Sequence, residues 1–273
     1  WRRQNGKRRK PSAATIAIEM SHFNVFLEWS HKRGFIKDRI TLQAPSREKN
    51  PRTHFNPTDW SKLTRFLREW IKDAKGKTGS TMRDRIMLTN YVLILANTGI
   101  RVGEARTLKW SDIDTFIGED GKENIVLQVK GKTGAREVVS RTPDVMIYFQ
   151  RIHELRTKER GGEKPPMTEP IFSHKDGTPI HSFKKGFNAL IHEAEVEYDT
   201  NGQRRVIYSL RHTYATFRLQ EGVNHYVLAR NMGTSVKMLE NFYGHTSNRA
   251  MASELTKARS KKRKKLPWEE KSD

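Results

Sequence analysis

Residues able to handle a phosphodiester recur at fixed intervals in this chain. YSLRHTYAT (208–216), LARNMGTS (228–235) and ENFYGH (240–245) place Arg211, Thr234 and Tyr243 at spacings of 23 and 9 residues. Upstream, TGIRVGEARTLKWSDID (98–114) supplies Arg101, and VKGKTGAREVV (129–139) supplies Lys132. Guanidinium forks match the non-bridging oxygens of a phosphate and carry the charge that builds on them in transfer. A phenol can attack phosphorus and store the bond as a phosphotyrosine. A lysine can protonate a departing oxygen. Together these are the parts that covalent phosphodiester cleavage calls for. The arginines supply the charge that a metal would otherwise bring, and the sequence has neither an acidic metal cluster nor a Cys to make a thiolate site. Neither metal nor cofactor is expected.

The elements that must position these groups are legible in outline. Arg101 and Arg211 each fall in the first turn of an expected helix, about 101–108 and 209–221. A helix start disfavours a cation, yet its free N–H groups attract phosphate. Breaking a local rule twice in this way is expected of functional positions. Glu104 reads as the group that orients Arg101. Lys132 lies in KGKTGA between expected strands 124–130 and 136–141, on a Gly-flanked hairpin tip. Lys130, two residues earlier and on the same strand face, is its rival. Tyr243 closes a helix expected at about 235–242, with Gly244 ending it and His245 beyond. Its plain alternative is a core aromatic beside Phe242. His212 adjoins Arg211, but one residue turns a helix by about 100°, so it faces elsewhere.

The remaining chain supplies a frame. An amphipathic helix is expected over 12–33, with Ser12 as N-cap, Ile16, Met20, Phe23 and Leu27 as its stripe, and Gly34 as its stop. The polar, Pro-containing stretch 37–55 reads as a linker. A second unit begins near Phe55, with an apolar stripe of Trp60, Leu63, Phe66, Leu67 and Trp70 following Thr58. KDAKGKTGSTMR (72–83) reads as a loop, and IMLTNYVLILA (86–96) lies in a buried helix, 84–97, ending at Thr98-Gly99. Further helices are expected at about 143–158, 182–197 and 224–231, with a loop that has room for one short strand in 166–180. The fold class is mainly α with a small antiparallel sheet.

Order and spacing together resemble the tyrosine recombinases, the phage-type integrases, over roughly residues 10–255. The family pattern is TGxRxxE, a hairpin lysine, H-x-x-R, a GH or GW pair, and a tyrosine nine residues on. On that pattern Arg101 and Arg211 are the two arginines, Lys132 the lysine and Tyr243 the nucleophile. Two positions depart: Tyr208 stands where the family has histidine, and Thr234 where it has His or Trp. A histidine can accept a proton at neutral pH, whereas a phenol mostly donates a hydrogen bond. The resemblance implies that residues 1–36 are the C-terminal part of a core-binding domain, 37–55 an interdomain linker and 56–255 the catalytic domain, followed by a basic tail over 256–273. It implies a site-specific recombinase that cuts and rejoins duplex DNA through a 3′-phosphotyrosyl intermediate. Its partners would be double-stranded DNA with repeats, three further copies of itself in a tetramer, and accessory DNA-bending proteins. Type IB topoisomerase-like nicking and closing is the same-chemistry alternative, and a catalytically impaired DNA-binding relative is the other.

Composition points to a polyanion independently. The net charge is +21 over 273 residues, an excess that suits nucleic acid. A membrane surface is the competitor, but the most apolar run is too short to span a bilayer, and no membrane partner is expected. Basic runs at both ends, Arg2, Arg3, Lys7, Arg8, Arg9 and Lys10, then Lys261, Lys262 and Arg263, are candidate phosphate contacts. The absence of Cys and of a signal peptide fits a reducing compartment, and the resemblance implies the bacterial cytoplasm at the nucleoid. A chain that opens on Trp1 reads as part of a longer protein.

Overall fold

The computed structural model describes residues 11–46, 53–73, 79–131 and 134–243. The chain divides into two compact units, Trp1–Pro51 and Arg52–Asp273. In the first, α1 (Ala13–Lys32) starts at Ser12, whose hydroxyl accepts from the Thr15 N–H at 3.2 Å, and stops before Gly34, where φ is +76°. Phe26, Trp29 and Phe35 stack in sequence along its end, with centroids 6.1 and 5.6 Å apart.

The second unit is built around one long helix. α2 (Pro57–Lys72) is capped by Asn56, whose side chain accepts from Asp59 N at 2.7 Å, and Pro57 occupies the position where a missing N–H costs nothing. Leu63, Leu67 and Trp70 form its buried stripe. α3 (Gly79–Thr98) begins five residues before the sequence-based start. Its first turns look like loop by composition, but Arg83 is buried and donates to Glu159 and to Ser173 O, both at 2.6 Å, so tertiary bonds hold what propensity does not. From Met87 to Ala96 the helix is buried on nearly every side, between α2, α5 (Val145–Glu159) and α7 (Tyr208–Gln220).

After α4 (Val102–Thr107) and a single 3₁₀ turn (Trp110–Asp112) come β1 (Ile113–Ile117), β2 (Glu123–Gly131) and β3 (Gly134–Val139), an antiparallel sheet in that order. β1 was not visible in the sequence: four of its five residues are exposed, so IDTFI carries no inward alternation. β2 and β3 pair Leu127 with Val138, Val129 with Arg136, and Gly131 with Gly134. Leu127, Val129 and Val138 are buried, so the face they share is the inward one.

α6 (Lys184–Glu193) and a short bridge between Tyr198 and Arg204 lead to α7, then α8 (His225–Met232) and α9 (Val236–Tyr243). The entry to α7 is tied down by Arg205, which is fully buried. It donates to His54 O, Val196 O, Tyr198 O and Asp59 and lies 4.7 Å over the Phe55 ring, so no donor direction is wasted on a dry interior. Residues 53–55, polar enough to read as linker, are held in this unit: Thr53 bonds Ser209 at 2.6 Å and Phe55 N donates to Thr213. A second small core of Tyr214, Leu219, Leu228, Met232 and Leu239 joins α7, α8 and α9.

Candidate active site

The two arginines meet at one end of α8. Gly233 closes that helix in the left-handed conformation, φ +63° and ψ +48°, leaving its terminal carbonyls without helical partners. Arg211, on the first turn of α7 and only 4% exposed, donates Nη2 to Met232 O at 2.8 Å and Nη1 to Gly99 O. Arg101, the N-cap residue of α4, donates Nη2 to Gly233 O. So two guanidiniums drawn from positions 110 residues apart in sequence are fastened to consecutive carbonyls. Thr234 follows at once, its N–H donating to Ala229 O at 2.9 Å. Cations at the C-terminal end of a helix are favoured by its dipole.

Gly99 completes the arrangement. It ends α3 with φ +65°, and a Cβ there would collide with the Tyr214 ring. Only glycine allows the turn that brings its carbonyl to Arg211 and its neighbour Arg101 to the site. Tyr214 itself is buried, and its hydroxyl accepts from Asn231 at 3.0 Å. Burial pushes that phenol above the ordinary tyrosine value.

Glu104 sits beneath Arg101. It is 2% exposed and accepts four donors: Arg101 N at 2.8 Å, Arg101 Nη1 at 2.7 Å, and Arg136 Nη1 and Nη2 at 2.6 and 2.9 Å. Burial would raise its carboxyl, but the hydrogen bonds from Arg136 and Arg101 outweigh that and hold it at about 2. It is a carboxylate at any physiological pH. Burial lowers Arg211 below the usual guanidinium value, with Arg101 and Arg136 adding to the fall and Tyr208 and Glu104 opposing it.

Arg101, Arg211 and Thr234 are therefore gathered within one peptide of each other. Tyr208, the first residue of α7, lies one turn before Arg211 and packs its ring edge to face on His212, centroids 4.9 Å apart. His212 is buried beside Arg211, not turned out to solvent. Tyr243 is the last residue of α9 by its backbone, and α9 packs on α7 and α8. Lys130 is exposed on β2, opposite Ala135. Lys132 lies outside the described residues, as do Arg2, Arg3, Lys7, Arg8, Arg9, Lys10, Lys261, Lys262 and Arg263. Among the described residues no group of three or more His, Cys, Asp or Glu side chains is arranged to hold a metal, and no helix is long and apolar enough to cross a membrane.

Sequence reasoning missed Arg136 and Asn231. Arg136 was findable: it shares the inward face of β3 with Val138, where an arginine needs a buried partner. Asn231 gave no signal, since its amide clips the Val139 backbone, accepting at 2.8 Å and donating at 3.1 Å, across 92 residues.

Residues 71–249 match the model of the phage integrase family. The chain belongs to that family. It is a tyrosine recombinase, with the mainly helical fold and three-stranded sheet of that family's catalytic domain. It is 23% identical over 261 residues to transposase B from transposon Tn554 of Staphylococcus aureus, an alignment covering 92% of this chain and 38% of the relative. This recombinase thus spans well under half the length of that relative. Two solved structures share the fold. One is the XerH site-specific recombinase on a palindromic difH substrate, with TM-score 0.64 and 19% identity over 95% of this chain and 66% of that one. The other is the Tn1549 transposon integrase with a circular-intermediate DNA, with TM-score 0.62 and 18% identity over 90% and 80%.

Proposed function

We propose that this recombinase cuts and rejoins duplex DNA at specific sites through a 3′-phosphotyrosyl link. The Tyr243 oxygen attacks the scissile phosphorus, the bond to the 5′ oxygen breaks, and Lys132 gives that oxygen a proton. A 5′-hydroxyl from a partner strand then attacks the phosphotyrosine and releases the tyrosine. Bond energy is conserved, so no nucleotide is consumed. Arg101 and Arg211 hold the non-bridging oxygens, with Tyr208 and Thr234 as further donors. Four protomers act on paired sites, with accessory DNA-bending proteins helping assembly.

The observation that carries this reading is the fastening of Arg101 and Arg211 to the adjacent carbonyls of Gly233 and Met232. Two cations held that close in a partly dry site repel each other, and the one carboxylate beside them, Glu104, is shared with Arg136, so a net positive charge is left for a further anion. A phosphate is the ligand that two forks of this geometry fit.

A nicked suicide duplex spanning the repeats that flank the gene tests it. The wild type should form an adduct that survives SDS, and Tyr243→Phe should form none while binding the duplex nearly as well. An adduct with the Phe variant would remove Tyr243 as nucleophile. Trapping without exchange between two sites would favour the topoisomerase-like reading, and binding without trapping the impaired relative.

A further inference from the structure

Resting on that DNA-cleaving reading, we propose that Arg136 is a positioning residue that serves as the counter-ion of Glu104, so that Arg101 stays available to a phosphate. The hydrogen-bond distribution carries this. Arg136 grips both Glu104 oxygens with both terminal nitrogens, at 2.6 and 2.9 Å. Arg101 gives Glu104 only one guanidinium nitrogen and sends the other to Gly233 O. The Arg101 side chain is 28% exposed and that of Arg136 is 14%, so the first faces outward and the second is spent within the protein. Without Arg136, Arg101, three residues away, would be the one cation among the described residues still hydrogen-bonded to the buried carboxylate. The carboxylate would draw Arg101 into a two-pronged pair, because a buried charge without its partner is costly.

The backbone has been shaped around this pair. A Cβ on Gly131 would lie 2.7 Å from Glu104 Oε1, and one on Gly233 would lie 2.7 Å from Arg136 Nε. Glycine on the hairpin and glycine at the α8 end each leave room for one half of the ion pair. Arg136 Nε also donates to Asn231 O at 3.2 Å, and Asn231 clips Val139. Arg136 thereby ties the strand that follows Lys132 to the helix end that holds both arginines.

The test uses single-turnover trapping on the nicked duplex together with the Nε–H resonance of Arg101 in the DNA-free protein. Arg136→Ala should slow trapping by about tenfold to a hundredfold, less than the roughly hundredfold to thousandfold that outright loss of one oxyanion donor costs, with duplex affinity little changed. It should also shift the Arg101 resonance before any DNA is added. Adding Glu104→Gln to that variant removes the charge that captures Arg101, and should return the resonance and most of the rate. A merely structural role predicts the opposite, a double variant slower than the single one. That result, or an Arg101 resonance that Arg136→Ala leaves unmoved, overturns the proposal. Should Arg136→Ala not melt cooperatively, Arg136→Lys, which keeps the charge but not the fork, should give an intermediate rate with the same rescue. A wild type that traps on no duplex would defeat the DNA-cleaving reading, while the resonance would still judge Arg136.

Discussion

At Tyr208 a phenol opens α7 one turn from Arg211, with its ring against His212. A phenol one turn from the Arg211 guanidinium is suited to donate to a phosphate oxygen. Tyr208→Phe should therefore slow cleavage about tenfold to a thousandfold, as for loss of one preorganised donor, while Tyr208→His should retain or raise the rate. If the wild-type rate shows a basic limb near neutrality that Tyr208→Phe abolishes, the phenol is the base and the donor role fails. Glu104 makes a second prediction, on stability. Its folded value near 2 lies below the ordinary 4.5. A depressed carboxylate contributes stability that is whole above the unfolded value and is lost as pH falls through the folded one. The difference corresponds to about 3 kcal/mol. Acid unfolding followed from pH 5 to pH 2 should show wild type converging on Glu104→Gln; parallel curves across that window would refute it. Arg101 and Arg211 could be read from sequence because motif spacing constrained them. Strand alternation could have marked Arg136 as an inward arginine, but not its partner, which lies 32 residues back on another element.

Among the elements, the short helix α8 does the most for the site. Its eight residues bring two free carbonyls to the arginines, and its Gly233 cap makes them point that way. Gly233→Ala would force a side chain into the left-handed region and against Arg136, a strain of about 1–3 kcal/mol. Cleavage should fall by more than duplex affinity does, because what shifts is the seat of the guanidiniums. Equal losses of affinity and rate would mean that α8 merely supports the fold. A helix was expected over about 224–231, yet nothing local says that the carbonyls at its end receive arginines from α4 and α7. The same limit explains the elements that were misjudged. The start of α3 depends on Arg83 bonding Glu159 and Ser173 across the fold, and β1 depends on the ladder that β2 offers it. Periodicity reports a buried face, and neither segment has one.

For the whole molecule, the mainly helical class followed from apolar stripes at helical spacing, above all the wholly apolar turns of α3. The same chain carries a net charge of +21, more than the site can use. Arg136, Arg156 and Arg205 are committed to carbonyls and carboxylates inside the second unit. Much of the excess lies in the terminal runs, and Lys261 to Lys265 are five consecutive cations. A run of point charges attracts phosphates by releasing counter-ions, which carries no sequence information. Removing everything after Lys257 should accordingly weaken binding to all duplexes alike. It should flatten the slope of log affinity against log salt by about 0.9 for each phosphate that the tail no longer neutralises. The single-turnover rate at saturating protein should not change, because neither arginine nor Tyr243 is touched. Binding isotherms on a repeat-bearing duplex and on a scrambled one, each at several salt concentrations, decide it. A loss confined to the repeat-bearing duplex would show that the tail reads bases.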